Sequence, residues 1–199
     1  MASCSIPRML AATDAIVLSL QPMSDRAHLL HAYTRTGGRV SYKVYGLGRH
    51  HAAGLYTPMA VLQITADKST VRTARFAQVT PSLVTDPYKR AIALFLAEVL
   101  THTLRQPMPD EALFTWLERA VTLLDRSDDP QNFHLQFLID LAALLGFAMD
   151  PQTHAALLRM PGSRTERQVQ LRQLCDYFAE HADYWQTPRS LDVLMEIFD

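Results

Sequence analysis

The stretch Arg39-Val-Ser-Tyr-Lys-Val-Tyr45 sets cations and an aromatic ring at alternate positions. In an extended chain, period 2 sends Arg39, Ser41, Lys43 and Tyr45 to one face and Val40, Tyr42 and Val44 to the other. The second set makes core and the first meets solvent. Lys and Arg neutralise phosphates and release counterions, while a tyrosine ring stacks on a base of any identity for about 1–3 kcal/mol. That is the chemistry of a single-strand nucleic-acid binder. Arg35, Arg49, Lys68, Arg72 and Arg75 lie in the same part of the chain and enlarge the cation set. The plainer reading of the same residues is a solvated strand face with ordinary charges.

Other chemistry is harder to build. There is no G-x-S-x-G elbow, no H-E-x-x-H and no G-x-x-x-x-G-K-[ST]. Gly46-Leu-Gly48-Arg-His-His51 lacks the third glycine and the βαβ setting of a dinucleotide fingerprint. An enzyme is not expected. His50 and His51 are adjacent on a loop with no carboxylate or thiol beside them, so a solvated basic loop is preferred to a metal site. His28 and His31, three apart on a strand, leave opposite faces and cannot share a ligand. Cys175, next to Leu174 and near Phe178 on a helix, reads as a small core residue. No cofactor and no metal are expected. Arg105, Arg119 and Arg126 punctuate an acidic, helical half of the chain, where one of them could rim a pocket for an acidic, hydrophobic peptide tail. Helix capping and i,i+4 pairing explain these arginines equally well.

Charge divides the chain. Residues 1–80 carry nine Lys and Arg against three Asp and Glu, and the remainder carries ten against seventeen, so the whole-chain balance of −1 hides a basic part joined to an acidic one. A local field acts even when totals cancel, and the basic part calls for a polyanion or an acidic partner. A hydrophobic content of 48% with 20% charged residues is that of a chain with a packed core. Cys4 and Cys175 form no C-x-x-C, which fits a reducing compartment. The apolar N-terminal stretch is broken by Arg8 and Asp14 and is too short to span a bilayer. A soluble cytoplasmic, nucleoid-associated protein is expected.

The elements that must hold these residues follow from periodicity. Between Thr13 and Thr80, β-branched and aromatic residues alternate between Gly, Pro and Asp breaks, which predicts strands near 13–20, 27–34, 39–46, 59–66 and 70–79. Five short strands without a crossover helix predict a small antiparallel barrel, the OB-fold. From Pro81 the period changes to 3–4. Helices are predicted over 87–104, 110–124, 132–145, 164–181 and 190–198, with Asp86 as an N-cap and Gly146 just past a C-terminus. The expected fold is α+β in two domains: an OB-fold barrel over 1–80 that binds nucleic acid, and an all-α helical domain over 81–199 that packs on the barrel and docks partners.

Residues spread along the chain resemble the RecO family of bacterial recombination mediators. They are Thr13-Asp-Ala-Ile-Val-Leu18, Gly37-Gly-Arg39, Gly46-Leu-Gly-Arg49 and Leu55-Tyr-Thr-Pro-Met-Ala-Val-Leu62. In the helical half they continue with Ala91-Ile-Ala-Leu-Phe-Leu-Ala-Glu-Val-Leu100, Leu113-Phe114-x-x-Leu117-Glu118, Asn132-Phe-His-Leu-x-Phe-Leu138, Leu144-Leu-Gly-Phe147 and Arg189-Ser-Leu-x-Val-Leu194. The resemblance implies an OB-fold followed by a helical domain, and a function without bond chemistry. It implies binding of single- and double-stranded DNA, annealing of complementary strands, and association with RecR and with the acidic C-terminal tail of single-strand DNA-binding protein. Help in loading RecA onto protected single strands is implied as well. Many members of the family carry a zinc-binding cysteine cluster after the helix that ends here at Gly146-Phe147. The segment 148–164 has no cysteine, so closure by packing of Leu157, Leu158 and Met160 is expected in place of zinc. Only Lys43, Lys68 and Lys89 are lysines, so DNA contacts would rest mainly on arginine. The competing expectation is an OB-fold adaptor that binds a protein and has little DNA affinity.

Overall fold

A computed structural model describes residues 12–47, 54–157, 159 and 161–197. Among these residues five strands come first: β1 (Ala12–Ser24), β2 (Ala27–Thr34), β3 (Gly38–Tyr45), β4 (Val61–Asp67) and β5 (Thr70–Phe76). They close into a barrel in the order β1-β2-β3-β5-β4, antiparallel throughout except where β3 meets β5. This is the OB-fold expected from the sequence. β1 serves two neighbours, pairing through Ala12–Ile16 with β4 and through Ala15–Ser24 with β2. Register irregularities at Val17/Ser19 and Pro22/Ser24 give it the bend that this requires. The strand runs past the expected end at Leu20 because Pro22 sits at the second irregularity, where a missing N–H is tolerated. β4 begins two residues later than expected, since Met59 has a left-handed backbone with φ 64°.

Both faces of β1 are apolar, for a structural reason. Ala15 and Val17 point into the barrel with Leu30, Tyr42, Val44, Leu62 and Ile64, while Ile16 and Leu18 point out into the core of the helical region. The alternation thus reads buried on both sides, and the barrel and the helices meet across this strand.

Among the described residues seven helices follow: α1 (Pro81–Thr85), α2 (Pro87–Thr103), α3 (Glu111–Arg126), α4 (Phe133–Leu144), α5 (Pro151–Leu157), α6 (Arg164–His181) and α7 (Leu191–Ile197). α2 is the hub, with Ile92, Phe95, Leu96, Val99 and Leu100 fully buried. Burial of each such side chain stabilises the fold by about 1.5–3 kcal/mol. As the sequence predicts, Asp86 caps α2, accepting from Tyr88 N and Lys89 N, and Gly146 takes a φ of 89° just past α4. Asp110 lies one residue outside α3 and accepts from Leu113 N at 2.9 Å. Two short helices were not expected, α1 and α5. Each starts at a proline, and α5 is capped by Asp150, which accepts from Gln152 N and Thr153 N. Leu157 closes this end of the core, as expected, whereas the side chains of Leu158 and Met160 lie outside the described residues. Among the described residues no helix is long and apolar enough to cross a membrane.

Candidate nucleic-acid interface

The β3 face has the composition that period 2 demands. Ser41, Lys43 and Tyr45 are exposed and Tyr42 and Val44 are buried; Tyr45 shows 56% of its surface. The turn between β4 and β5 lies against this strand: Lys43 N donates to Ser69 O at 2.6 Å, and Lys43 stands in register with Thr70. Lys68, in a left-handed conformation with φ 54° at that turn, is therefore brought to Lys43. Arg72 follows on β5 and is tethered to Asp67 at 3.1 Å. Arg75, three residues on and about 10 Å farther along the strand, donates to Gln63 Oε1 across β4. Lys43, Tyr45 and Lys68 are thus exposed where β3 reaches the β4–β5 turn, and exposed Arg72 and Arg75 follow from there along β5.

Arg26 and His28 join them, and sequence reasoning did not place either in the site. The β1–β2 hairpin turn folds beside the end of β3, so that Asp25, Arg26 and His28 share a cleft of about 390 Å³ with Tyr45, Gly46 and Leu47. Pairing of Ala27 with Tyr45 sets this up. The signal was available in principle, since a short β2–β3 hairpin fixes which residue of β2 opposes Tyr45, but it required the register as well as the period. Asp25 and Asp67 moderate the charge of the strip without cancelling that of Arg26, Lys43, Lys68, Arg72 and Arg75. His31 Nδ1 lies 2.7 Å from Ser41 Oγ, and burial together with the charge of Arg39 lowers its pKa below the usual histidine value.

Two of the expected cations face elsewhere. Arg35 occupies the β2–β3 turn and reaches the helices: its guanidinium is paired with Glu111, with Glu118 at 2.6 Å and with Asp14 at 3.4 Å, and stacks 4.3 Å above the centre of the Phe114 ring. Burial alone would lower its pKa, but the hydrogen bonds to Glu118 and Glu111 hold it above the ordinary value. Arg39 turns to the end of α2, where its Nη1 donates to the Thr101 and Leu104 carbonyls. A cation on the last carbonyls of a helix meets the negative end of its dipole. Burial, then the charge of Arg105, lowers the pKa of Arg39. Both arginines hold the barrel to the helical region, and a phosphate at either would have to displace partners already in place. Arg49, with His50 and His51, lies outside the described residues.

In the helical region the three expected arginines do not converge. Arg105 lines a cleft of about 910 Å³ with Met108, Leu145, Phe147 and Tyr184, its guanidinium carbon 5.2 Å from the Tyr184 ring centre. Asp110, Glu111 and Asp183 share the same rim and oppose an acidic ligand there. Arg119 and Arg126 are exposed seven positions apart on α3 and are not among the residues lining that cleft. Cys175 is buried, and desolvation followed by the charge of Asp176 pushes its thiol up to about 12, as befits a core residue. Among the described residues no three His, Cys, Asp or Glu side chains are grouped to hold a metal ion.

The class of protein defined by this architecture is an OB-fold barrel joined to a helical region, with a cation and tyrosine strip on the barrel. The family described as recombination protein O, C terminal, matches residues 84–160. The chain is 29% identical over 232 residues to the DNA repair protein RecO of Flavobacterium johnsoniae, covering 94% of this chain and 98% of that one. It is likewise 29% identical over 242 residues to RecO of Bacteroides fragilis, covering 96% and 100%. With RecO of Porphyromonas gingivalis the identity is 33% over 156 residues, 72% of this chain and 64% of the relative. The chain belongs to the RecO family of DNA repair proteins.

Proposed function

We propose that this protein acts in DNA repair as a recombination mediator that binds single- and double-stranded DNA along the β3–β5 side of the barrel. Arg26, Lys43, Lys68, Arg72 and Arg75 contact phosphates, and Tyr45 stacks on an unpaired base. The observation that carries the reading is the joint exposure of Lys43, Tyr45 and Lys68 on adjacent backbone segments, tied by the bond from Lys43 N to Ser69 O. Annealing follows from the same charge. Two strands repel through their phosphates, and a basic surface that holds both lowers the repulsion.

The helical region docks protein partners in this reading. RecR and the acidic tail of single-strand DNA-binding protein are the partners that the family membership brings, and through them the protein helps load RecA onto coated single strands. Arg119 and Arg126 offer the tail an exposed basic edge on α3; Arg105 is a weaker contact for it, because Asp110, Glu111 and Asp183 rim the cleft that Arg105 lines.

An annealing assay with two complementary labelled strands tests the proposal. Acceleration that fades as salt rises supports it. No acceleration at low salt, together with retention of RecR, supports the adaptor reading, in which DNA affinity is absent.

A further inference from the structure

Three helices end at one cleft. Leu104, Leu145 and Ala182, the residues just past α2, α4 and α6, all line the cleft of about 910 Å³ that Arg105 shares. A helix C-terminus carries about half a negative charge on carbonyls that have no partner within the helix. Arg39 answers that of α2, but α4 has no basic residue in its last turn and α6 has only His181. α3 begins at the same cleft, where its positive end is already met by Asp110, which caps it, and by Glu111 in its first turn. Arg35 answers Glu111 but is shared with Asp14 and Glu118. Asp183 adds a third carboxylate to the rim, exposed and without a hydrogen-bond or ion-pair partner among the described residues.

The walls between these charges are apolar and open. Met108 and Tyr184 show 67% and 73% of their surface, and Leu145 and Phe147 are half-buried. Tyr184 holds a left-handed backbone with φ 64°, which costs a bulky residue about 1–3 kcal/mol, and its ring already carries the guanidinium of Arg105. A phosphate or an acidic tail would meet three carboxylates and two unanswered helix ends here. A cation is attracted by the same groups, and the methionine and aromatic carbon take apolar neighbours of that cation. The volume suits several side chains of a peptide better than a lone ion. We infer that the cleft between the α2–α3 linker and the ends of α4 and α6 docks a segment of a partner protein in which basic and large apolar side chains are interspersed. The cleft is separate from the barrel strip and its occupancy needs no DNA.

A fluorescein-labelled, end-capped peptide of alternating arginine and leucine, titrated with the full chain at low salt and followed by anisotropy, tests it. Binding is expected to weaken as salt rises and to be roughly tenfold or more tighter than that of the same peptide with glutamate in place of arginine. Asp183→Lys is expected to weaken the arginine peptide by roughly tenfold. Met108→Ser, which changes no charge, should weaken it by about threefold to tenfold. Both residues are exposed, so neither substitution touches the core. Asp129→Lys, in the loop past the far end of α3, alters the net charge as Asp183→Lys does and is expected to leave binding unchanged. No binding of the arginine peptide, equal binding of the glutamate peptide, unchanged affinity in either cleft variant, or an equal loss in Asp129→Lys would overturn the assignment. So would concentration-dependent dimerisation of the parent that Asp183→Lys abolishes, which would give the cleft to a second copy of the chain.

Discussion

Arg35 in the β2–β3 turn and Glu118 on α3 stand 83 positions apart in sequence and 2.6 Å apart in space. The same guanidinium also answers Asp14 and Glu111, so one cation holds three carboxylates from both parts of the molecule. Arg35→Ala leaves those acids facing one another and is expected to lower stability by about 1–3 kcal/mol. A double-mutant cycle with Glu118→Gln, read by urea denaturation, should give a coupling of about 0.5–3 kcal/mol. Additive effects would mean that the pair contributes nothing jointly.

Gly38 begins β3 under the linker that joins α2 to α3. Its φ is +62°, and a Cβ there would lie 2.6 Å from the Met108 nitrogen. Gly38→Ala is therefore strained both by its backbone and by collision with main chain that cannot rotate away. A loss of about 2 kcal/mol or more is expected, with a matching fall in Tm. Gly54, where a Cβ meets nothing within 4 Å, is the control and should tolerate alanine.

His134 links stability to pH. Its folded pKa, about 3, lies below the unfolded 6.5, so the unfolded chain binds the extra proton. The contribution is complete above pH 6.5 and falls as the pH drops from there toward 3, with a limiting slope of about 1.4 kcal/mol per unit. Denaturation at pH 7.5 and pH 5.0 should show a smaller loss for His134→Gln than for the parent. An equal loss would show that this imidazole does not set the slope.

Cys175 should resist chemistry in the folded state. With its thiol at about 12, thiolate is scarce at pH 8, and burial blocks approach. Iodoacetamide followed by peptide mapping is expected to leave Cys175 unmodified until urea is added. Rapid labelling of the folded protein would place this thiol outside the core.

The barrel and the long helices were legible because each writes its period into a contiguous stretch: alternation in β3, the 3–4 spacing in α2, a capped start at Asp86. The joint between them was not. Arg35 and Arg39 have the residue type of phosphate ligands, and nothing local to either reveals acids at 111 and 118 or carbonyls at 101 and 104. β1 showed an apolar run without showing that its second face meets α2. The short helices α1 and α5 hold too few residues for a period to emerge and are marked only by their prolines and, for α5, by Asp150. Lys43 and Tyr45 sit on the exposed face that alternation gives them, whereas Arg26 reaches Tyr45 only through hairpin register.

The central claim is that the β3–β5 side of the barrel binds DNA. Fluorescence anisotropy of a labelled single-stranded oligonucleotide, titrated at two salt concentrations with the parent, with Lys43→Glu/Lys68→Glu, and with Arg119→Glu/Arg126→Glu, tests it most directly. The prediction is steep salt dependence for the parent, at least a tenfold loss for the barrel variant, and little change for the α3 variant. Unchanged affinity in the barrel variant, or an equal loss in the α3 variant, would contradict it.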